Sequence, residues 1–245
     1  MNESLRDDRP IGVLDSGIGG MSTLLLLKDN LPYENFVYST QREFVSFGNM
    51  VERDIYTKSI ELVDVLIYNN SKVVVIACNT ATNVGVGNLS QKFGIPFIGC
   101  EPAIKPCVES GCKNILVLTT VATARQPKFL ELKERFGNYA NIIVAPQPYL
   151  ARCIEESHAG KSLRNNIKNG VYALPDNFYQ SLHKELYNCV ANILYNSCDI
   201  DGVVLGCTHY VFLKPMIEYY CQINRKQIKI FDGNSGIVKR LKNLV

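Results

Sequence analysis

Two aliphatic runs, Val73-Val74-Val75-Ile76-Ala77 and Val203-Val204-Leu205-Gly206, constrain this chain most. Each is short and β-branched, and each closes on a cysteine followed by small polar residues: Cys78-Asn79-Thr80 in one case, Cys207-Thr208-His209 in the other. Short runs without polar alternation fit strands buried on both faces, as in parallel sheets covered by helices. In open α/β sheets the ligand crevice lies beyond the carboxyl ends of the strands. Two thiols remote in sequence are therefore expected at equivalent places beside one cleft. Two acid/base groups of one kind facing one substrate suit a reaction that works in both directions.

Strand-like and helical patterns alternate along the whole chain. Strands are predicted at Ile11–Leu14, Phe36–Tyr38, Pro96–Gly99, Ile115–Leu118, Ile142–Ala145 and Ile228–Phe231, besides the two cysteine-ended runs. Helix-length segments separate them, among them a single helix predicted over Ala124–Phe136, and Ser39–Asn49 reads as a loop. Such alternation argues for parallel sheets with helices on both faces. The fold class is α/β, with two similar lobes of mainly parallel sheet and the active site in the cleft between them. Residues 1–98 and 211–245 are assigned to the first lobe and 99–210 to the second. Asp176 is the expected N-cap of a helix over Phe178–Tyr195.

A length of 245 residues suffices for one large domain or two modest ones. A formal charge of +3 is too small to suggest nucleic acid as a partner. No apolar run reaches the ~18 residues that span a bilayer. The polar start, Met1 to Pro10, does not read as a signal peptide, so a cytoplasmic enzyme is expected. The nine cysteines include no C-x-x-C and are odd in number, which speaks against a disulfide framework or structural zinc. Most should be small buried hydrophobes; Cys189, in phase with Leu182, Leu186 and Ile193, is expected to be one.

Three short segments carry the chemistry. Asp15-Ser16-Gly17-Ile18-Gly19-Gly20 joins a strand to a helix and is neither G-x-G-x-x-G nor a Walker loop. Its N–H groups could hold an anion, or its glycines could serve positive φ. Asp15 could accept an ammonium or steer a proton at a nearby thiol. Cys78 precedes a helix whose dipole should favour its thiolate, while Asn79 and Thr80 offer donors to a carboxylate. His209, one of only three histidines, stands two residues from Cys207 and can assist its deprotonation. His158 and His183 lie in less suggestive surroundings.

With these motifs assembled, the chain resembles the glutamate racemases of the cofactor-independent aspartate/glutamate racemase superfamily. Asp15–Gly20 matches D-S-G-x-G-G, Ala77–Ala81 matches A-C-N-T-A, and Gly206–His209 matches G-C-T-H. The likeness runs from Ile11 to near the C-terminus. It implies two α/β lobes around a cleft and interconversion of L- and D-glutamate for peptidoglycan, with no cofactor and no metal. By the same resemblance Cys78 is the base acting on D-glutamate and Cys207 the base acting on L-glutamate. Asp15 and His209 assist them, and Glu155 is a further acid near the second cysteine. Ser16, Phe47, Gly48, Asn79, Thr80, Thr123 and Thr208 join Asp15 and His209 as substrate contacts. A homo-oligomer, a dimer, is implied, with no membrane and no nucleic acid partner.

The chain departs from the family pattern in places. Phe47 replaces the usual Tyr and Ser46 the usual Pro before Gly48, and the usual Gly-Asp falls on Thr40-Gln41. Gln126 stands where Ser is common. Other readings are racemisation of aspartate or a related amino acid, a cysteine-dependent hydrolase built on Cys207 and His209, and a non-catalytic binding protein on the same fold.

Overall fold

The computed structural model describes residues 7–41, 47–197 and 199–245. Ser46 and Cys198 lie outside the described residues. The first sheet holds β1 (Ile11–Asp15), β2 (Phe36–Thr40), β3 (Val73–Ile76) and β4 (Phe97–Gly99) in the order β2-β1-β3-β4, all parallel. The second holds β5 (Asn114–Thr119), β6 (Asn141–Pro146), β7 (Gly202–Gly206) and β8 (Lys229–Asp232) in the order β6-β5-β7-β8, again all parallel. The two orders are the same, and β3 and β7 hold the same rank.

Side-chain alternation along the central strands explains the layering. In β3, Val73 and Val75 enter a core shared by both lobes, while Val74 and Ile76 enter a core on the outer face of the first sheet. In β7, Val203 and Leu205 enter the shared core and Val204 an outer core of the second sheet. An uninterrupted aliphatic run is thus what a strand needs when both of its faces are covered.

The helices are α1 (Gly20–Asn30), α2 (Glu52–Tyr68), α3 (Asn79–Phe93), α4 (Ile104–Glu109), α5 (Val121–Arg125), α6 (Pro127–Gly137), α7 (Leu150–Glu156), α8 (His158–Lys168), α9 (Phe178–Tyr195), α10 (Lys214–Ile223) and α11 (Asn234–Lys242). In α2 the buried stripe Ile55, Ser59, Leu62, Val63 and Leu66 follows helical spacing, and Glu52 and Asp54 suit its first turn. Among the described residues no helix is long and apolar enough to cross a membrane.

Four expectations need correction. Residues 211–245 do not all join the first lobe. Strand β8 pairs with β7, completing the second sheet after the α10 crossover, while α11 packs on α1 and β4. A β-α-β unit sets its second strand beside the first where an edge is free. The single helix expected over Ala124–Phe136 is two helices, because Pro127 forces extended backbone at Gln126. The N-cap of α9 is Asn177, at φ +60°, and not Asp176. Cys189 is exposed, since the buried stripe of α9 runs through Phe178, Leu182, Leu186, Val190 and Leu194.

Candidate active site

The carboxyl ends of β1 and β3 face those of β5 and β7 across the cleft. In the first sheet, Asp15 ends β1 and Cys78 follows β3 by two residues. In the second, Cys207 follows β7 directly. Both thiols are nearly buried, at 5% exposure for Cys78 and 7% for Cys207.

The glycine turn is the seam between the lobes. Thr208 Oγ1 donates to Asp15 Oδ2 at 2.9 Å, and Gly17 N–H donates to Asp15 Oδ1 at 2.8 Å. Ile18 N–H donates to Glu155 Oε1 at 2.7 Å. The anion held by this turn is therefore the protein's own Glu155. Neither Gly17 nor Gly19 has positive φ. Their lack of a Cβ serves close approach: a Cβ on Gly17 would collide with the Glu155 carboxylate. One on Gly19 would sit 2.5 Å from Thr208 Oγ1 and 2.6 Å from His209 Nδ1.

Each thiol has its own partners. Cys78 Sγ lies 3.7 Å from Ser16 Oγ, and Cys207 Sγ lies 3.8 Å from His209 Nδ1. His209 Nε2 in turn meets Glu155 Oε1 at 2.7 Å, and Arg164 donates to Glu155 Oε2 at 2.8 Å. Burial opposes charge on Glu155, but His209, Arg164 and the Ile18 N–H outweigh it and hold the carboxyl below its ordinary value. Burial likewise opposes charge on His209, and the Cys207 and Glu155 contacts carry it well above the ordinary imidazole value. The pair is thus a buried carboxylate–imidazolium contact.

The first wall is different. Burial pushes the Cys78 thiol up to about 12, with the Asp15 charge adding to the effect. This corrects the expectation that the α3 dipole would favour thiolate. Cys78 is the N-cap of α3, but desolvation outweighs the helix end. Burial also raises Asp15 above the ordinary carboxylate range, against the pull of His209, Gly17 N–H and Thr208.

Three hydroxyls close the cleft on another side. Thr80 Oγ1 lies 3.1 Å from Thr120 Oγ1 and 3.0 Å from Thr123 Oγ1, and Thr120 Oγ1 donates to Thr123 Oγ1 at 3.0 Å. All three are buried. Asn79 Nδ2 makes a long contact, 3.4 Å, with the Cys100 carbonyl. Phe47 is a correction: its fully buried ring joins the outer core of the first sheet, because without a hydroxyl it has no polar group to keep in the cleft. Gly48 lines a cavity of about 290 Å³ shared with Arg125 and Gln126. His183 stacks on Tyr187 at 4.7 Å, and the His158 N–H donates to Glu185. Neither is placed with the thiols.

Sequence reasoning missed Thr120, Tyr38, Thr40 and Arg164. The Thr120-x-x-Thr123 spacing at a strand end was the available signal, since Thr120 caps α5 by accepting the Thr123 N–H. Tyr38 and Thr40 both donate to the Gly17 carbonyl, at 2.8 and 3.0 Å, and so orient the peptide whose N–H meets Glu155. No sequence signal marks Arg164.

Twin parallel sheets meeting at such a cleft define a two-lobed α/β enzyme of the racemase type. The family model for Asp/Glu/Hydantoin racemases matches residues 50–241, and the chain belongs to this family of isomerases. Over 246 aligned residues it is 34% identical to a glutamate racemase of Clostridium perfringens, spanning 99% of this chain and 85% of the relative. A glutamate racemase of Clostridium acetobutylicum is 33% identical over 96% of this chain and 83% of its own length. The fold matches that of Escherichia coli glutamate racemase, solved with L-glutamate and the activator UDP-MurNAc-Ala. The TM-score is 0.75 at 24% identity, covering 96% of this chain and 81% of that one.

Proposed function

We propose that this protein interconverts L- and D-glutamate in the cytosol by proton transfer through Cys78 and Cys207, supplying D-glutamate for peptidoglycan. The observation that carries this reading is the pair of thiols at the ends of equally ranked strands, β3 and β7, each with its own hydrogen-bonding partner. The glutamate racemases aligned over nearly the whole chain support the choice of substrate.

The α-proton of an amino acid beside its carboxylate is very weakly acidic. Removing it requires placed donors for the developing charge and exclusion of bulk water. Ser16, Asn79, Thr80, Thr123 and Thr208 supply such donors, with Asp15 available to the ammonium. Inversion needs one base on each face of the carbon. With L-glutamate bound, Cys207 takes the α-proton with His209 beside it. Cys78, kept protonated by burial and by Asp15, delivers its proton to the opposite face. The roles then reverse for D-glutamate.

Incubation of L-glutamate in deuterated water tests the proposal. D-Glutamate carrying α-deuterium is expected, and absence of both product and label overturns the reading. Cys78→Ser and Cys207→Ser should each abolish racemisation, and full activity in either variant refutes the two-thiol scheme. An amino-acid panel at equal concentration, aspartate included, tests the choice of substrate; faster turnover of aspartate transfers the assignment.

A further inference from the structure

Helices α7 and α8 are separated by one residue. Ser157 ends the first and caps the second: its Oγ donates to the Ile154 carbonyl at 2.7 Å and accepts the Gly160 N–H at 2.9 Å. Gly160 permits the sharp fold, since a Cβ there would collide with the Ile154 carbonyl and lie 2.7 Å from that of Glu155. Helix α8 is thereby folded back over the end of α7. One turn further on, Arg164 reaches Glu155 twice, donating to the carboxylate at 2.8 Å and to the backbone carbonyl at 3.1 Å. The same carboxylate, through its other oxygen, receives the Ile18 N–H and meets His209.

We propose that Arg164 is a positioning residue for Cys207: by gripping both the side chain and the backbone of Glu155 it fixes the carboxylate that holds His209 against the second thiol. Arg164 acts through Glu155, whose carboxylate it meets at 2.8 Å. It acts on one wall of the cleft only, because Cys78 is partnered by Ser16 instead. This deepens the racemase reading and rests on it for the activity readout alone.

The ionisable groups around the Glu155–His209 pair are Asp15 from β1, Tyr38 from β2, Cys207 from the end of β7 and Arg164 from α8. Glu185 of α9 faces the start of α8 through the His158 N–H. Arg164 is one of the groups holding Glu155 below its ordinary value. Without it Glu155 takes a proton at higher pH, and the contact with His209 is lost sooner on acidification.

The test uses the full chain with R164M, R164Q and R164K. R164M should lower kcat for glutamate on the order of 10-fold with KM changed less than about 2-fold, the pattern of a misplaced reacting group. Its acid limb should move upward by roughly half a pH unit or more, as expected when a carboxylate loses a cationic partner. R164Q should behave like R164M, and R164K should return the limb toward wild type. In parallel, alkylation of each thiol by iodoacetamide is followed against pH by peptide mass spectrometry. The Cys207 profile should shift in R164M and R164Q while the Cys78 profile stays. Profiles that keep their pH midpoints and merely scale, or thiols that respond alike, overturn the proposal. Wild-type protein that turns over no glutamate counts against the functional reading, and the alkylation pair still decides on Arg164.

Discussion

Thr208→Val removes one hydroxyl and almost no volume, and so isolates the bond that ties the two lobes at Asp15. In the native protein Thr208 Oγ1 donates to Asp15 Oδ2 at 2.9 Å, with Asp15 wholly buried. The variant leaves Asp15 only the Gly17 N–H among these two donors. Loss of a hydrogen bond to a charged, buried group costs about 1.5–3 kcal/mol. For a chain of this length that corresponds to a fall of roughly 3–6 °C in Tm. The pH dependence carries the sharper test. Asp15 has a raised native pKa, so its contribution to stability is fully present below the ordinary carboxylate value and is lost as pH rises through the native one. Thr208 is one of the groups that restrain this rise. Removing it lifts the native pKa further, and the deficit of the variant must grow with pH across that window. Calorimetry compares T208V with T208S, which keeps the hydroxyl, at one pH near the ordinary carboxylate value of about 4 and at one on the alkaline side, about 9. Equal melting at both values, or a larger gap at the lower one, refutes the assigned role of Thr208.

Two further outcomes follow from packing and burial. Gly19→Ala places a Cβ 2.5 Å from Thr208 Oγ1 and 2.7 Å from the His209 backbone nitrogen, which cannot withdraw. Thermal unfolding should show a loss of about 1–3 kcal/mol, whereas Gly236→Ala, in open space on α11, should be neutral or stabilising by up to about 1 kcal/mol. Cys78, raised from 9.0 to about 12 in the folded protein, makes the native state hold a proton that the unfolded chain releases. Stability should therefore fall as pH rises across that interval, and Cys78→Ser should flatten the fall in alkaline denaturant titrations.

The parallel strands were legible because uninterrupted aliphatic runs have few other uses. The residues just beyond β1, β3 and β7 were legible because small polar groups there break the pattern abruptly. Sheet membership was not. The apolar content of β8 marks a strand, but only pairing with β7 says which sheet it completes. The glycines of the first turn mark a turn in the sequence, while their use depends on Glu155, Thr208 and His209 arriving from the other lobe. Glu155 and Arg164 belong to a contact set by a helix break at Ser157, and the spacing of nine residues matches no single-helix neighbour rule. The state of Cys78 is not legible, because a helix end is visible in sequence and the depth of burial is not.

The repeated strand order gives the cleft two walls built on one plan and furnished differently. One carries a buried thiol beside a serine, the other a thiol beside an imidazolium–carboxylate–guanidinium chain. Mirror-image amino acids have equal free energy in water, so under the proposed racemisation kcat/KM is the same for both enantiomers at every pH. Unlike walls can then change only how each ratio is divided between turnover and half-saturation. A duplicated scaffold lets the two directions be tuned separately in how they saturate, while the balance between left- and right-handed product stays where the solvent sets it.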